Sequence, residues 1–344
     1  MIQRALLSLA LLLLLACGEE PPKAPVTPLS AETEALQQLY KWGVGPFAVE
    51  AASGLQIEQA GRDEPLSFAA WYPQAPAAGS SIQWPVLLFS HGNWSSNSKY
   101  DNLIRHWVSH GYVVLAPRHL DADGGYLSGT VDLVRYGNLG LIQARVDDLV
   151  LLLDNFEQVE QQLPELAGRL DQQRIAATGH SFGAFNAQQL GGATAFDTEL
   201  QAWVAARDQR IKAVVAISPP GPMFDEIADG SWDRQTAPTL MTTGTWDTNA
   251  AFWPDWQMHK LSFETAPPGD QYALVVQGAD HYLGNLICRP ELEQPPQEDA
   301  LAMINTTVVA FLDAYLQDNE QALQFLQSEV IATTSGQFAL LEYR

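Results

Sequence analysis

The residues most fit for chemistry are Gly179-His180-Ser181-Phe182-Gly183, which match G-x-S-x-G. A serine hydroxyl is a weak nucleophile until a base takes its proton and a rigid turn exposes its oxygen. A sharp strand-to-helix turn does the second, and its crowded backbone leaves no room for a Cβ at the flanking positions. The helix that starts at such a turn directs its positive end at the charge that develops there. The neighbouring sequence suits this geometry. Arg174–Thr178 reads as a strand, and Ala184, Phe185, Ala187, Gln188 and Leu190 suit the helix that follows.

The elements needed to hold such a serine are written along the chain. From about residue 45, short apolar runs alternate with helical patterns. That alternation predicts an α/β fold, a mostly parallel central sheet with helices on both faces. The strand candidates are 86–90, 111–117, 174–178, 211–217, 239–243 and 272–277, with 272–277 expected to be the last. Helices are expected at 101–110, 145–160 and 299–317. Segment 47–72 is expected to add antiparallel edge strands.

The stretch from Leu170 to Ala193, with its GHSFGA core, resembles the α/β-hydrolases of the platelet-activating-factor acetylhydrolase and dienelactone-hydrolase-like group. Bacterial polyester hydrolases and cutinases are more distant relatives. Phe89-Ser90-His91-Gly92, Gly111–Pro117, Arg145 and Asp148 fit the same pattern, so the resemblance spans about residues 65–315. It implies the α/β-hydrolase fold and a serine nucleophile at Ser181. True dienelactone hydrolases use a cysteine there, so that activity does not carry over.

The same resemblance implies an oxyanion hole from two backbone N–H groups, those of Phe182 and Asn93. The fold places the nucleophile, acid and base in the order Ser, Asp or Glu, His. Only His259 and His281 follow Ser181. His281 lies just after a strand and His259 lacks strand context, so His281 is the expected base. Gly244-Thr245-Trp246-Asp247 resembles the family's G-x-x-D, which makes Asp247 the expected acid. Asp225 is the runner-up, and Asp280 reads as a solvated loop residue.

The loops after the strand ends hold many aromatics, and Trp94, Trp246 and Trp253 are expected to line the substrate pocket. Segments 120–140 and 250–258 could cap it. His91, His106, His110 and His119 show no paired ligand spacing, so no metal site is expected. No Gly-rich nucleotide motif is present and no cofactor is expected. The formal net charge of −22 excludes nucleic acid as a partner, because binding phosphates needs Lys and Arg.

Residues 1–16 read as a signal peptide: Arg4, then an apolar run too short for a comfortable membrane span. The run ends in Leu14-Leu15-Ala16-Cys17-Gly18, which resembles a bacterial lipobox. That implies a diacylglycerol on Cys17, a membrane anchor and residence in the bacterial cell envelope, at the outer membrane, or secretion. Residues 17–40, rich in Pro and polar side chains at their start, are expected to tether a single domain at 41–344. Cys288, the other cysteine, is expected to be buried and structural.

The expected function is hydrolysis of a carboxylic ester, small or polymeric, through an acyl-enzyme. A peptidase or amidase on the same triad is the alternative, as is a non-catalytic surface lipoprotein that binds an apolar ligand.

Overall fold

A computed structural model describes residues 23–62, 64–74, 82–124 and 126–344. The expected signal peptide and Cys17 lie outside the described residues.

Eleven strands occur among the described residues, nine of them in one sheet. They are β1 (Val49–Ile57), β2 (Leu66–Pro73), β3 (Trp84–Ser90), β4 (Val113–Pro117), β5 (Leu170–His180), β6 (Thr194–Asp197), β7 (Ala202–Ala205), β8 (Ile211–Ile217), β9 (Thr239–Gly244), β10 (Gln271–Val276) and β11 (Ala339–Tyr343). The large sheet runs β1-β2-β4-β3-β5-β8-β9-β10-β11, and β6 and β7 form a separate hairpin. The strands from β4 to β10 are mutually parallel. β1 and β2 at one edge, and β11 at the other, are antiparallel to their neighbours.

The helices are α1 (Thr33–Leu36), α2 (Asp101–Ser109), α3 (Tyr126–Asp154), α4 (Phe156–Gln162), α5 (Phe182–Gly191), α6 (Leu261–Thr265), α7 (Glu298–Leu316), α8 (Glu320–Leu326) and α9 (Val330–Thr334). Parallel strands need both faces covered, and these strands alternate accordingly. In β3, Leu87 and Phe89 face a core shared with α2 and α7, while Val86 and Leu88 face one shared with α3 and α4. By length and composition α7 could cross a membrane, but it is largely buried inside the body and is a core helix. The structure thus holds the expected parallel sheet with helices on both faces.

Two expectations need correction. The strand at 272–277 is not the last, because β11 returns from the C-terminal helices and pairs antiparallel with β10, Val276 opposite Ala339 and Tyr272 opposite Tyr343. Its half-exposed, short pattern lacks the apolar run of a central strand. The helix expected at 145–160 is the end of α3 and, past Asn155, α4. α3 is itself broken at Gly137 (φ 68°, ψ 170°), a conformation that glycine adopts without strain.

Residues 23–40, the outer part of the expected tether, lie against this body. Leu36 and Leu39 are buried, and Leu29 and Ala31 pack on the same core. The Tyr40 hydroxyl donates to Asp313 Oδ2 at 2.6 Å, a carboxylate buried on α7.

Phe311 is fully buried on α7. Phe311→Ala is expected to lower stability by about 3–5 kcal/mol, because the cavity adds to the lost transfer energy. Urea unfolding followed by tryptophan fluorescence checks this.

Candidate active site

The chain reverses direction in the sheet between β3 and β5: β4 lies to one side of β3, and β5 then crosses to the other. In open α/β sheets the crevice at the carboxyl end of such a switch point binds the ligand. Ser90 pairs with Gly179 at that edge. The loops that leave the carboxyl ends of β3, β5, β9 and β10 carry Asn93, Ser181, Asp247 and His281.

Ser181 sits at φ 54° and ψ −125°, between β5 and the first turn of α5. A side chain strained in this way persists only where its surroundings fix it. The Ser181 N–H donates to the Ile217 carbonyl of β8 at 2.8 Å. A Cβ on Gly179 would come within 2.3 Å of the Gly183 carbonyl oxygen, and one on Gly183 within 2.1 Å of the Ser90 carbonyl oxygen. Both glycines are therefore required by close approach of backbone.

His281 Nε2 lies 2.9 Å from Ser181 Oγ. On the other side of the ring, Nδ1 lies 2.7 Å from Asp247 Oδ1. Asp247 is fully buried and also accepts a hydrogen bond from the Thr243 hydroxyl at 3.2 Å. Burial alone would raise its pKa. The charges and hydrogen bonds of His259 and His281 outweigh burial and hold it well below the usual carboxylate range.

His259 faces the same carboxylate. Its Nε2 is 3.0 Å from Asp247 Oδ1, off the line of a well-formed hydrogen bond. No spacing in the sequence signals this contact, because His259 lacks strand context. Asp225, the other candidate acid, is exposed on the loop after β8. The donor atoms of Asp247, His259 and His281 lie within 4.8 Å of one another, close enough to hold a metal ion. A cation there would compete with the contacts those atoms already make to one another and to Ser181 Oγ.

Asn93 and Phe182 both line the cleft beside Ser181 and His281. Phe182 N–H is the first of the helix, where it has no intrahelical acceptor. The Asn93 loop is held from below. Arg145 on α3 is buried and reaches the His91 carbonyl at 2.6 Å and the Gly92 carbonyl at 3.3 Å. The same guanidinium grips both oxygens of Asp121, at 2.9 and 2.6 Å. Burial would raise the Asp121 carboxyl, but Arg145 outweighs it and the net shift is downward.

A second buried chain reinforces the loop. His119 Nδ1 is 2.9 Å from Asp148 Oδ2, and its Nε2 is 2.9 Å from Ser90 Oγ. The His119 N–H donates to His91 Nε2 at 3.2 Å. Burial lowers the pKa of both histidines, which leaves neutral rings to carry these contacts. Arg145 and Asp148, noted in the sequence only as part of a resemblance, are therefore supports of the Asn93 loop.

A third link joins the loop to the base. Gly92 N–H donates to the Tyr100 hydroxyl at 2.8 Å, and that oxygen lies 3.0 Å from His180 Nδ1. His180 Nε2 donates to the His281 carbonyl at 2.9 Å.

The cleft encloses about 1040 Å³, open solvent included. Leu133, Leu141, Met223, Phe224 and Phe252 make most of its wall apolar. Trp94 and Trp253 line it, and the Trp253 ring lies 4.7 Å from that of His281. Trp246 does not. Its indole N–H donates to the Ala24 carbonyl at 2.8 Å, and Lys23 sits over its ring. Asp247 turns inward to the base, so its neighbour points outward. Segments 120–140 and 250–258 both reach the cleft, through Gly129 and Leu133 and through Phe252 and Trp253. Arg289, Tyr282 and Asn249 also line it and carried no signal in the sequence. Cys288 is buried at the cleft floor, where burial pushes its thiol up, away from the thiolate.

Residues 74–245, half of the chain, match the family model described as chlorophyllase. The chain belongs to the chlorophyllase family. Its fold is accordingly the α/β-hydrolase fold. The matched region contains the Asn93 loop, Arg145 and the Ser181 turn, and it ends before Asp247 and His281. A curated relative is the platelet-activating factor acetylhydrolase of Cavia porcellus, 27% identical over 167 residues. That alignment covers 40% of this chain and 35% of the relative, so the chain spans about a third of the relative's length.

Arg145→Met is expected to leave Asp121 buried and unpaired and to destabilise the protein by about 3–5 kcal/mol. Denaturant unfolding at pH 7 measures this. A change below 1 kcal/mol would mean that Asp121 finds another partner.

Proposed function

We propose that this protein is a serine hydrolase of carboxylic esters. The observation that carries the reading is the unbroken chain from Ser181 Oγ to His281 Nε2, and from His281 Nδ1 to buried Asp247. Relatives support the ester class: the family is the chlorophyllase family, and the Cavia porcellus protein is by name an acetylhydrolase.

In this mechanism His281 Nε2 accepts the Ser181 proton as Oγ attacks the ester carbonyl. Asp247 holds the ring by Nδ1 and stabilises the imidazolium that forms. The oxyanion rests on the N–H groups of Asn93 and Phe182, which the Arg145 and His119 supports hold in place before the reaction starts. His281 then returns the proton to the leaving alkoxide. Water gives its proton to His281 as its oxygen attacks the acyl carbon, and His281 returns that proton to Ser181 Oγ as the acid leaves.

The apolar wall supports an apolar acyl or aryl group, with Trp94 and Trp253 beside the reacting atoms. The lipobox-like sequence supports export, with Cys17 as a lipid anchor to the bacterial envelope. A Cys17→Ser variant is expected to leave the membrane fraction. Retention of that variant in membranes would sink the anchor.

Hydrolysis of p-nitrophenyl esters, from acetate to palmitate, tests the activity. Ser181→Ala is expected to lose at least about a thousandfold in kcat, as removal of a triad member does. The chain-length optimum then sizes the cleft. No turnover of any ester by the unaltered protein would reject the reading.

A further inference from the structure

The triad acid has a second histidine. His259 follows β9 in sequence by fifteen residues, in a short turn of helix at Trp256–Lys260, and is fully enclosed. Its Nδ1 lies 2.6 Å from the Pro219 carbonyl oxygen. A carbonyl only accepts, so Nδ1 carries a proton and donates. Its Nε2 lies 3.0 Å from Asp247 Oδ1. Were Nε2 unprotonated, an electron-rich nitrogen would sit 3.0 Å from the carboxylate oxygen, buried and with no donor to satisfy it.

We infer that His259 is a positioning residue of the triad, a buried imidazolium that shares the Asp247 carboxylate with His281 and limits how strongly that carboxylate holds a proton on the base. The inference rests on the Ser181–His281–Asp247 mechanism proposed above.

The surroundings agree. Asp247 faces His259 from the loop after β9, and the Pro219 carbonyl from the loop after β8. His281, after β10, has its ring centroid 5.9 Å away, and the Trp253 ring lies 5.6 Å away. His180, at the end of β5, is held neutral by burial first and by His281 next. On its own element, Lys260 turns outward to Glu342 and Glu264. No second carboxylate faces His259 among the described residues. Burial would lower its pKa, yet Asp247 and the Pro219 carbonyl raise it above that of free histidine.

Two consequences follow for catalysis. The charge of Asp247 is balanced within the protein before His281 takes a proton. A second positive charge on His281 then appears about 6 Å from the first. The two charges repel each other. The same cation holds Asp247 from behind, so the carboxylate cannot turn away from His281.

The test is the pH profile of kcat/KM with the ester optimum found for the full-length protein. The acidic limb of that profile reports the base in the free enzyme. In His259→Gln the side chain keeps a neutral N–H donor but loses the charge. The acidic limb is expected to move up by about one pH unit or more, since charges this close interact strongly even at an effective dielectric near 20. A limb that stays in place, or moves down, overturns the inference. Ser181→Ala separates the two readings: if activity depends on Ser181 and the limb does not move, only the role of His259 fails. A second measurement does not depend on the variant folding. ¹⁵N spectra of histidine-labelled protein at pH 8 are expected to contain one imidazole with both nitrogens protonated. Spectra with neutral rings alone would overturn the inference.

Discussion

The rest of the structure depends on how closely three pieces of backbone meet at the Ser181 turn. Gly179, Gly183 and the end of β3 pack without any Cβ between them. This contact forces Ser181 into its positive φ, starts α5 under the hydroxyl and brings the Asn93 loop alongside. Ser181 and the backbone of Phe182 and Asn93 are therefore placed by one act of packing. The parallel sheet serves it by fixing β3 against β5 in register, with cores on both faces holding the sheet rigid.

Around that contact the protein buries several charged and titratable groups. Arg145, Asp121, Asp148, His119, His91 and His180 are all enclosed and all face loop backbone or one another. Buried polar groups are costly when unpaired and rigid when satisfied. Here they replace secondary structure as the support of loops that have none. The reacting side chains rest on an electrostatic lattice, while the walls of the cleft come from separate segments of apolar side chains.

What could be read in the sequence was what depends on local geometry. G-x-S-x-G specifies its turn within five residues, and the order of the chain leaves two of seven histidines, of which strand context picks His281. The parallel strands were legible because burial on both faces leaves apolar runs. β11 was missed because an edge strand needs no such run. Trp246 was placed in the cleft because it adjoins Asp247, but neighbours on a turn face opposite ways, and it lies outside. His259 was passed over because its role depends on a carboxylate twelve residues earlier and a carbonyl forty residues earlier, a meeting that only the fold creates. The same holds for Arg289, Tyr282 and Asn249.

The outward turn of Trp246 has a consequence for reach. The indole holds Ala24 by its carbonyl, so the N-terminal segment is fastened one residue away from Asp247. Five residues separate Lys23 from Cys17, a leash of about 20 Å at full stretch. With a lipid on Cys17, the domain would ride within one protein radius of the bilayer and could not sweep the space around it.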